Sequence, residues 1–149
     1  MKLLVAVLFI TLITGSLSCL RTTTSPCSCP DLPNFFFYPK TPLYTKGEGC
    51  MANVTCISQT PTYTRLFWNE TEIPEPIDNN GPDFFVSTGT PWVPVNLYTM
   101  HGYVCENGVW YATKYPYGIN YVLEKGYTKV EGNFDGLKSK LIEIVCAWS

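Results

Sequence analysis

Short stretches of alternating hydrophobic and polar residues run through most of this chain. Glycine, proline, asparagine and aspartate separate them, which is the pattern of short strands joined by turns. Helical periodicity over ten or more residues is absent after the N-terminal segment, although residues 134–139 have room for one turn. The expected strands are NVTCIS (53–58), TRLFWN (64–69), FFVST (84–88), WVPVNLY (92–98), INYVLEKG (119–126), YTKVEG (127–132) and KSKLIEIVCAW (138–148), together with a hairpin around residue 107.

About eight strands of this kind predict an all-β domain, either an antiparallel sandwich or a small barrel, stapled by disulfides. Pro94 places the segment 92–98 at a sheet edge or a bulge. The last segment alternates most clearly. One of its faces should carry Lys140, Ile142, Ile144, Cys146 and Trp148, and the other Leu141, Glu143, Val145 and Ala147.

The stretch YVCENGVWYAT (103–113) predicts a hairpin. Asn107 and Gly108 stand between two apolar runs, and a two-residue type I′ turn requires a positive φ at both of its central positions. Such a turn pairs Cys105 with Trp110 across the two strands. We therefore expect the indole of Trp110 to cover a disulfide rather than to bind a ligand.

The first eighteen residues have the composition of a secretory signal peptide. Lys2 precedes an apolar run over residues 3–13, and small residues precede Cys19, before which we expect cleavage. Residues 19–149 then form a single secreted domain, in which residues 19–33 are a polar, proline-containing leader. No second long apolar stretch follows, so we expect no membrane anchor.

The net charge excludes one class of partner. The chain has 10 basic and 12 acidic side chains, so removal of Lys2 leaves 10 − 1 = 9 against 12 and a formal charge of −3. This balance lacks the excess of lysine and arginine that is typical of a nucleic-acid-binding protein.

Seven cysteines indicate three disulfides and one cysteine left over, as expected of a secreted chain. Cys19 is the natural odd one, so the protein should be a monomer or a dimer through Cys19. Cys105 is expected to pair with Cys146, and the other four among themselves. The cysteine spacing does not suit zinc, and we expect no metal and no cofactor. The six bridged positions are Cys27, Cys29, Cys50, Cys56, Cys105 and Cys146.

The order of these features resembles a group of small secreted nematode proteins, the "domain of unknown function 281" group. The residues that carry the resemblance are Cys27-Ser28-Cys29-Pro30, the segment from Cys105 to Trp110, and Val145-Cys146. The resemblance spans most of the mature chain. It implies no catalytic residue and no activity.

Two sequons agree with secretion, one at Asn53 and one at Asn69. Asn53 lies between two cysteines and should be partly buried, whereas Asn69 opens an acidic, proline-rich loop over residues 69–83. That loop lacks the alternating acidic spacing of a calcium site.

Catalytic chemistry has few candidate residues here. His101 is the sole histidine, no serine lies in a nucleophile-elbow sequence, and the acidic residues suggest no pair. We interpret His101 as a turn residue and expect no enzymatic activity.

A binding function remains as the expectation. Ten tyrosines and four tryptophans could supply a surface for an extracellular protein or a glycan, and the loop over residues 114–121 is the predicted surface, through Tyr115, Tyr117 and Tyr121. The alternatives are a carrier of a small apolar ligand in a β-barrel, and a secreted hydrolase or inhibitor.

Overall fold

A computed structural model describes residues 26–56, 62–89 and 93–146. These residues form ten strands, one short α-helix and one turn of 3-10 helix. In chain order the elements are the 3-10 turn (Leu32–Phe35), β1 (Leu43–Lys46), β2 (Ala52–Cys56), β3 (Tyr63–Thr71), β4 (Asp83–Ser87), β5 (Val95–Asn96), α1 (Leu97–Met100), β6 (Val104–Glu106), β7 (Val109–Ala112), β8 (Ile119–Val122), β9 (Tyr127–Val130) and β10 (Ser139–Val145).

The strands form two antiparallel sheets. The larger has the order β6-β7-β10-β3-β4-β8-β9, and the smaller has the order β1-β2-β5. Within the described part of the chain neither sheet closes into a barrel, and one hydrophobic core takes side chains from both. The predicted all-β antiparallel fold is confirmed, and of the two predicted architectures the sandwich is the one that fits.

The side chains of β3 point alternately to the core and to the solvent side of the larger sheet. Thr64, Leu66 and Trp68 are buried, whereas the alternate side chains are partly exposed, as the two-residue period of a strand requires. β4 follows the same rule and pairs with β3 in register, so that Arg65 lies opposite Phe85. We call the solvent side of this sheet the outer face.

The strict alternation predicted for the last strand is wrong. Leu141 and Ile144 were expected on opposite faces, yet both are fully buried in the core. The pairing of β10 with β3 shifts register on either side of Leu141. An irregularity of this kind opposes unequal numbers of residues on the two strands, and this resets which side chains point inward.

The predicted strand over residues 92–98 is also largely wrong. Only Val95–Asn96 is a strand, and α1 follows at once; residue 92 lies outside the described residues. The Asn96 side chain accepts a hydrogen bond from the Tyr98 backbone N–H at 3.1 Å. This N-cap satisfies a free donor of the first turn and thereby favours helix over strand.

Three disulfides join the N-terminal segment and the two sheets. One ties the N-terminal segment to the turn between β1 and β2, a second ties that segment to β6, and the third joins β2 to the end of β10. The pairs are Cys27–Cys50, Cys29–Cys105 and Cys56–Cys146.

The predicted bond between Cys105 and Cys146 is therefore wrong, although all six predicted cysteines are bridged. β7 lies between β6 and β10 in the sheet. Lys140 pairs with Tyr111 on β7, so Cys146 lies six residues beyond that point, or roughly 20 Å along an extended chain. This separation is far beyond the reach of a disulfide.

Candidate functional site

The hairpin of β6 and β7 has the predicted form. Asn107 and Gly108 have φ angles of 50° and 80°, and Cys105 pairs with Trp110. Trp110 is buried, and its indole N–H donates to the carbonyl oxygen of Pro30 at 2.7 Å. This bond fixes the N-terminal segment beside the Cys29–Cys105 bridge, so Trp110 has a structural role.

The predicted tyrosine surface does not form. Tyr115 and Tyr121 are each only 3% exposed, and of the three residues only Tyr117, at 39%, reaches solvent. The Tyr115 hydroxyl contacts the Ser139 hydroxyl at 2.7 Å, and burial raises the pKa of Tyr115 to about 12. The Tyr121 hydroxyl donates to Asp78 at 2.7 Å. Burial of the aromatic rings in the core outweighs their position in a loop-like sequence.

His101 lies in the turn after α1, as predicted, but it is completely buried. Its Nδ1 atom is 2.7 Å from the Thr64 hydroxyl, which in turn is 2.5 Å from the Tyr103 hydroxyl. Desolvation lowers the pKa of His101 to about 4, and the Ser87 backbone opposes this more weakly. The ring is therefore neutral at physiological pH.

The directions of these hydrogen bonds depend on which nitrogen of the neutral ring carries the proton. With the proton on Nε2, Nδ1 accepts from the Thr64 hydroxyl, and that hydroxyl accepts from Tyr103; with the proton on Nδ1, the ring donates to the Thr64 hydroxyl instead. Nε2 has no hydrogen-bond partner among the described residues, even though the Ser87 backbone lies near enough to favour the charged ring. The group is a buried polar network that a substrate cannot reach from solvent.

Three sulfur atoms, those of Cys27, Cys50 and Cys105, lie within 4.8 Å of one another. All three belong to disulfides, so none offers the thiolate that a metal requires. The adjoining pocket has a volume of about 10 Å³, which is room for about one water molecule.

A polar cleft of about 530 Å³ lies where β3, β7 and β10 meet. Its two lysines are already paired, Lys138 with Glu106 at 2.7 Å and Lys140 with Glu70 at 2.5 Å. Because each positive charge has a neighbouring carboxylate, the cleft offers little net charge to a ligand.

The outer face carries a group of three aromatic side chains, one exposed and two partly exposed, that was not predicted from the sequence. The Phe85 ring lies 5.2 Å from the Tyr63 ring and 5.7 Å from the Tyr127 ring, measured between centroids. Tyr127 is 71% exposed. The three rings line a cleft of about 470 Å³, and we call them the outer-face aromatic cluster.

Charged groups border this cluster. The Nε atom of Arg65 forms a short ion pair with Asp83, and its Nη1 atom lies 3.5 Å from a carboxylate oxygen of Glu143. The hydrogen bond that Arg65 donates to Asp83 is the main cause that raises the pKa of Arg65, and burial raises the pKa of Tyr63. Two carboxylates thus hold the guanidinium of Arg65 beside the aromatic rings.

Both predicted sequons are exposed. Asn53 lies on β2 and is exposed, although it was expected to be partly buried, and Asn69 lies on β3 rather than at the start of a loop. The Thr55 hydroxyl donates to the Asn53 side-chain oxygen at 2.7 Å.

No helix among the described residues is long and apolar enough to cross a membrane. This finding and the three disulfides are compatible with a secreted protein. The predicted signal peptide and Cys19 lie outside the described residues.

Comparison with known proteins gives a family and no activity. No curated protein and no solved structure matches the chain. A family model described as "TRA-1 regulated protein R03H10.4" matches residues 25–146. This is a nematode cysteine-rich family, in agreement with the nematode resemblance noted above, but the name of the 281 group is not confirmed. Since the match covers most of the 149 residues, the chain belongs to the family of the TRA-1 regulated protein R03H10.4.

Proposed function

We propose that this chain is a secreted, disulfide-stabilised module that binds an extracellular protein through the outer-face aromatic cluster and has no catalytic activity. The observation that carries the proposal is a cluster of three aromatic rings beside an arginine that two carboxylates hold. Tyr127 is exposed, and Tyr63 and Phe85 are partly exposed. Tyrosine and arginine are enriched among the residues that dominate protein–protein binding energy. Tyr127 is 71% exposed, so most of its ring is available to a partner.

The arrangement of the rings favours a protein over a glycan. The planes of Tyr63 and Phe85 are inclined by 50°, and those of Phe85 and Tyr127 by 69°. Sugars stack on ring faces, so a glycan platform needs faces that point the same way. The edges and corners of an inclined cluster suit the irregular side chains of a protein partner.

The two alternatives have less support. A carrier needs an internal cavity, whereas the pocket beside the disulfides holds about one water molecule and the cleft at the cluster is open. A hydrolase that used His101 would need that ring at the surface. Neither alternative draws on an exposed group of residues.

The test is capture of partners from extracellular fluid on the immobilised protein, followed by affinity measurements with each captured protein. Tyr127→Ala and Phe85→Leu should each weaken binding, with about a 30-fold loss for Tyr127→Ala if it is a dominant contact. Tyr117→Ala is the matched control, since it removes an exposed tyrosine outside the cluster.

A captured protein whose dissociation constant is the same for Tyr127→Ala and Tyr117→Ala would count against this surface. A glycan array run in parallel gives the other contrary result, which is a specific glycan whose binding Tyr127→Ala abolishes.

A further inference from the structure

We propose that Asn69 is a glycosylation site whose first sugar packs on the ring of Phe67, so that the glycan becomes part of the folded structure. The inference rests on the secretion assumed in the proposed function, because N-glycans are added only to chains that enter the secretory route. It concerns a different part of the outer face from the aromatic cluster.

The geometry of β3 brings the two side chains together. Phe67 and Asn69 are two residues apart in one strand, so they project from the same side and are separated by about 6.6 Å along it. Trp68 between them points the opposite way and is only 7% exposed. Its ring stacks on Phe84 with centroids 4.2 Å apart, which fixes the backbone that presents its neighbours.

The ring of Phe67 is partly exposed and already has a partner on one side. The guanidinium carbon of Arg65 lies 6.0 Å from the ring centroid, in a cation–π arrangement. Arg65 precedes Phe67 by two residues and Asn69 follows it by two. The side of the ring toward Asn69 is thus where a sugar attached to that residue would lie, with its C–H groups against the aromatic system.

A cleft of about 430 Å³ adjoins the attachment point. This volume is within the range of small-ligand sites, roughly 300–1,000 Å³. Trp68, which lies between Phe67 and Asn69 in the strand, also borders the cleft. The described residues that line it are Phe67, Trp68, Asn69, Glu75, Gly81 and Pro82.

The third residue of the sequon is engaged in the folded protein. The Thr71 hydroxyl is 2.5 Å from the Ser139 hydroxyl and accepts from the Ile73 backbone N–H at 3.1 Å. These contacts do not oppose glycosylation, because the sugar is transferred to the extended chain before the strands pair. They do hold the end of β3 in place afterwards.

The second sequon is an internal control. Asn53 is exposed on β2, but the residue two positions before it is Met51, which has no aromatic face. A glycan on Asn53 should therefore leave stability nearly unchanged. A glycan on Asn69 should raise the stability of the folded protein.

The experiment uses the chain secreted from a eukaryotic host. Site occupancy is measured by mass spectrometry, and melting temperature is measured before and after the glycans are trimmed to one sugar. We expect occupancy at Asn69, a melting temperature about 3 °C lower for Asn69→Gln, and no change on trimming, since the first sugar makes the contact. Asn53→Gln should melt like the wild type.

The coupling to Phe67 is the decisive measurement. Phe67→Leu keeps an apolar side chain but removes the aromatic face, and in that background Asn69→Gln should no longer lower the melting temperature. Phe67→Ala serves as a second variant if it folds. If Asn69→Gln lowers the melting temperature equally in the wild type and in the Phe67→Leu variant, the packing proposal is overturned.

Occupancy separates this inference from the proposed function. Glycan at Asn53 with none at Asn69 overturns the inference and leaves secretion intact. A secreted chain with neither site occupied also overturns the inference, whereas a chain that stays inside the cell with its first eighteen residues uncleaved refutes secretion itself.

Discussion

The buried histidine makes the stability of this protein depend on pH. Desolvation lowers the pKa of His101 from 6.5 to about 4 in the folded chain, whereas the unfolded chain has the ordinary value. Between these two pH values the unfolded state binds a proton that the folded state excludes. The stabilisation is therefore complete above pH 6.5 and is lost progressively as the pH falls toward 4.

The magnitude follows from the two pKa values. Each unit by which the pH falls across this interval lowers the free energy of unfolding by about 1.36 kcal/mol. The whole loss attributable to His101 is therefore about 3 kcal/mol. The side chains that hydrogen-bond in this network, Thr64 and Tyr103, stay uncharged throughout this range, because burial raises the pKa of Tyr103 above its usual value. The effect therefore belongs to the imidazole.

The assay is urea unfolding at pH 7.5 and pH 4.5, followed by tryptophan fluorescence, for the wild type and for His101→Asn. The asparagine side chain can still reach the Thr64 hydroxyl in place of Nδ1, but it does not titrate. Between pH 7.5 and pH 4.5 the free energy of unfolding should fall by about 2.5 kcal/mol more in the wild type than in the variant. The carboxylates titrate in both proteins and cancel in the comparison. Equal losses would refute the assignment of a neutral, buried imidazole.

The remaining predictions concern the disulfide framework and one glycine. Replacing Cys56 and Cys146 together by serine should destabilise the protein by about 4.5 kcal/mol, against about 3.5 kcal/mol for Cys27 and Cys50, because the bridges close loops of 90 and 23 residues. Chemical unfolding of both variants measures this order. Gly118→Ala should cost more than 2 kcal/mol in the free energy of unfolding, because a Cβ there would lie 2.2 Å from a carbonyl oxygen of β9 and φ is +71°. The matched control is Gly126→Ala, where φ is +89° but no atom lies within 4 Å; an equal cost for both would contradict the clash.

Local features of this fold were predictable because their causes lie within a few residues. The hairpin at Asn107-Gly108 depends on the φ angles that a two-residue turn requires, and the pairing of Cys105 with Trp110 follows from that turn. β1 (Leu43–Lys46) was not predicted. Its burial pattern shows why, since three of its four residues are exposed and give no apolar alternation.

Long-range features were not predictable in the same way. The partner of Cys105 depends on which strand lies between β6 and β10, and that order is a property of the whole sheet. The inward positions of Leu141 and Ile144 depend on a register shift against β3 that the sequence of β10 does not encode by itself.

The aromatic cluster was not predicted, because the expected binding surface lay in the loop over residues 114–121 and not on the alternating side chains of β3 and β4. Tyr63 and Phe85 occupy positions that alternate with the buried residues of β3 and β4, so both were predictable as outer-face residues from the period of two. Their contact was not predictable, since it depends on the pairing of β3 with β4. Tyr115 looked like a surface residue because Pro116 and Gly118 follow it, but its ring packs edge-on against Phe134 in the core.

The two proposals about the outer face constrain each other. Asn69 lies four residues from Arg65 along β3, or about 13 Å, so a freely moving glycan could sweep over the aromatic cluster. A first sugar held on Phe67 instead keeps the glycan at one end of the face and leaves Tyr127, three strands away on β9, open to a partner. A glycan held on Phe67 would therefore leave the protein-binding surface open, and Phe67 is in the position to hold it.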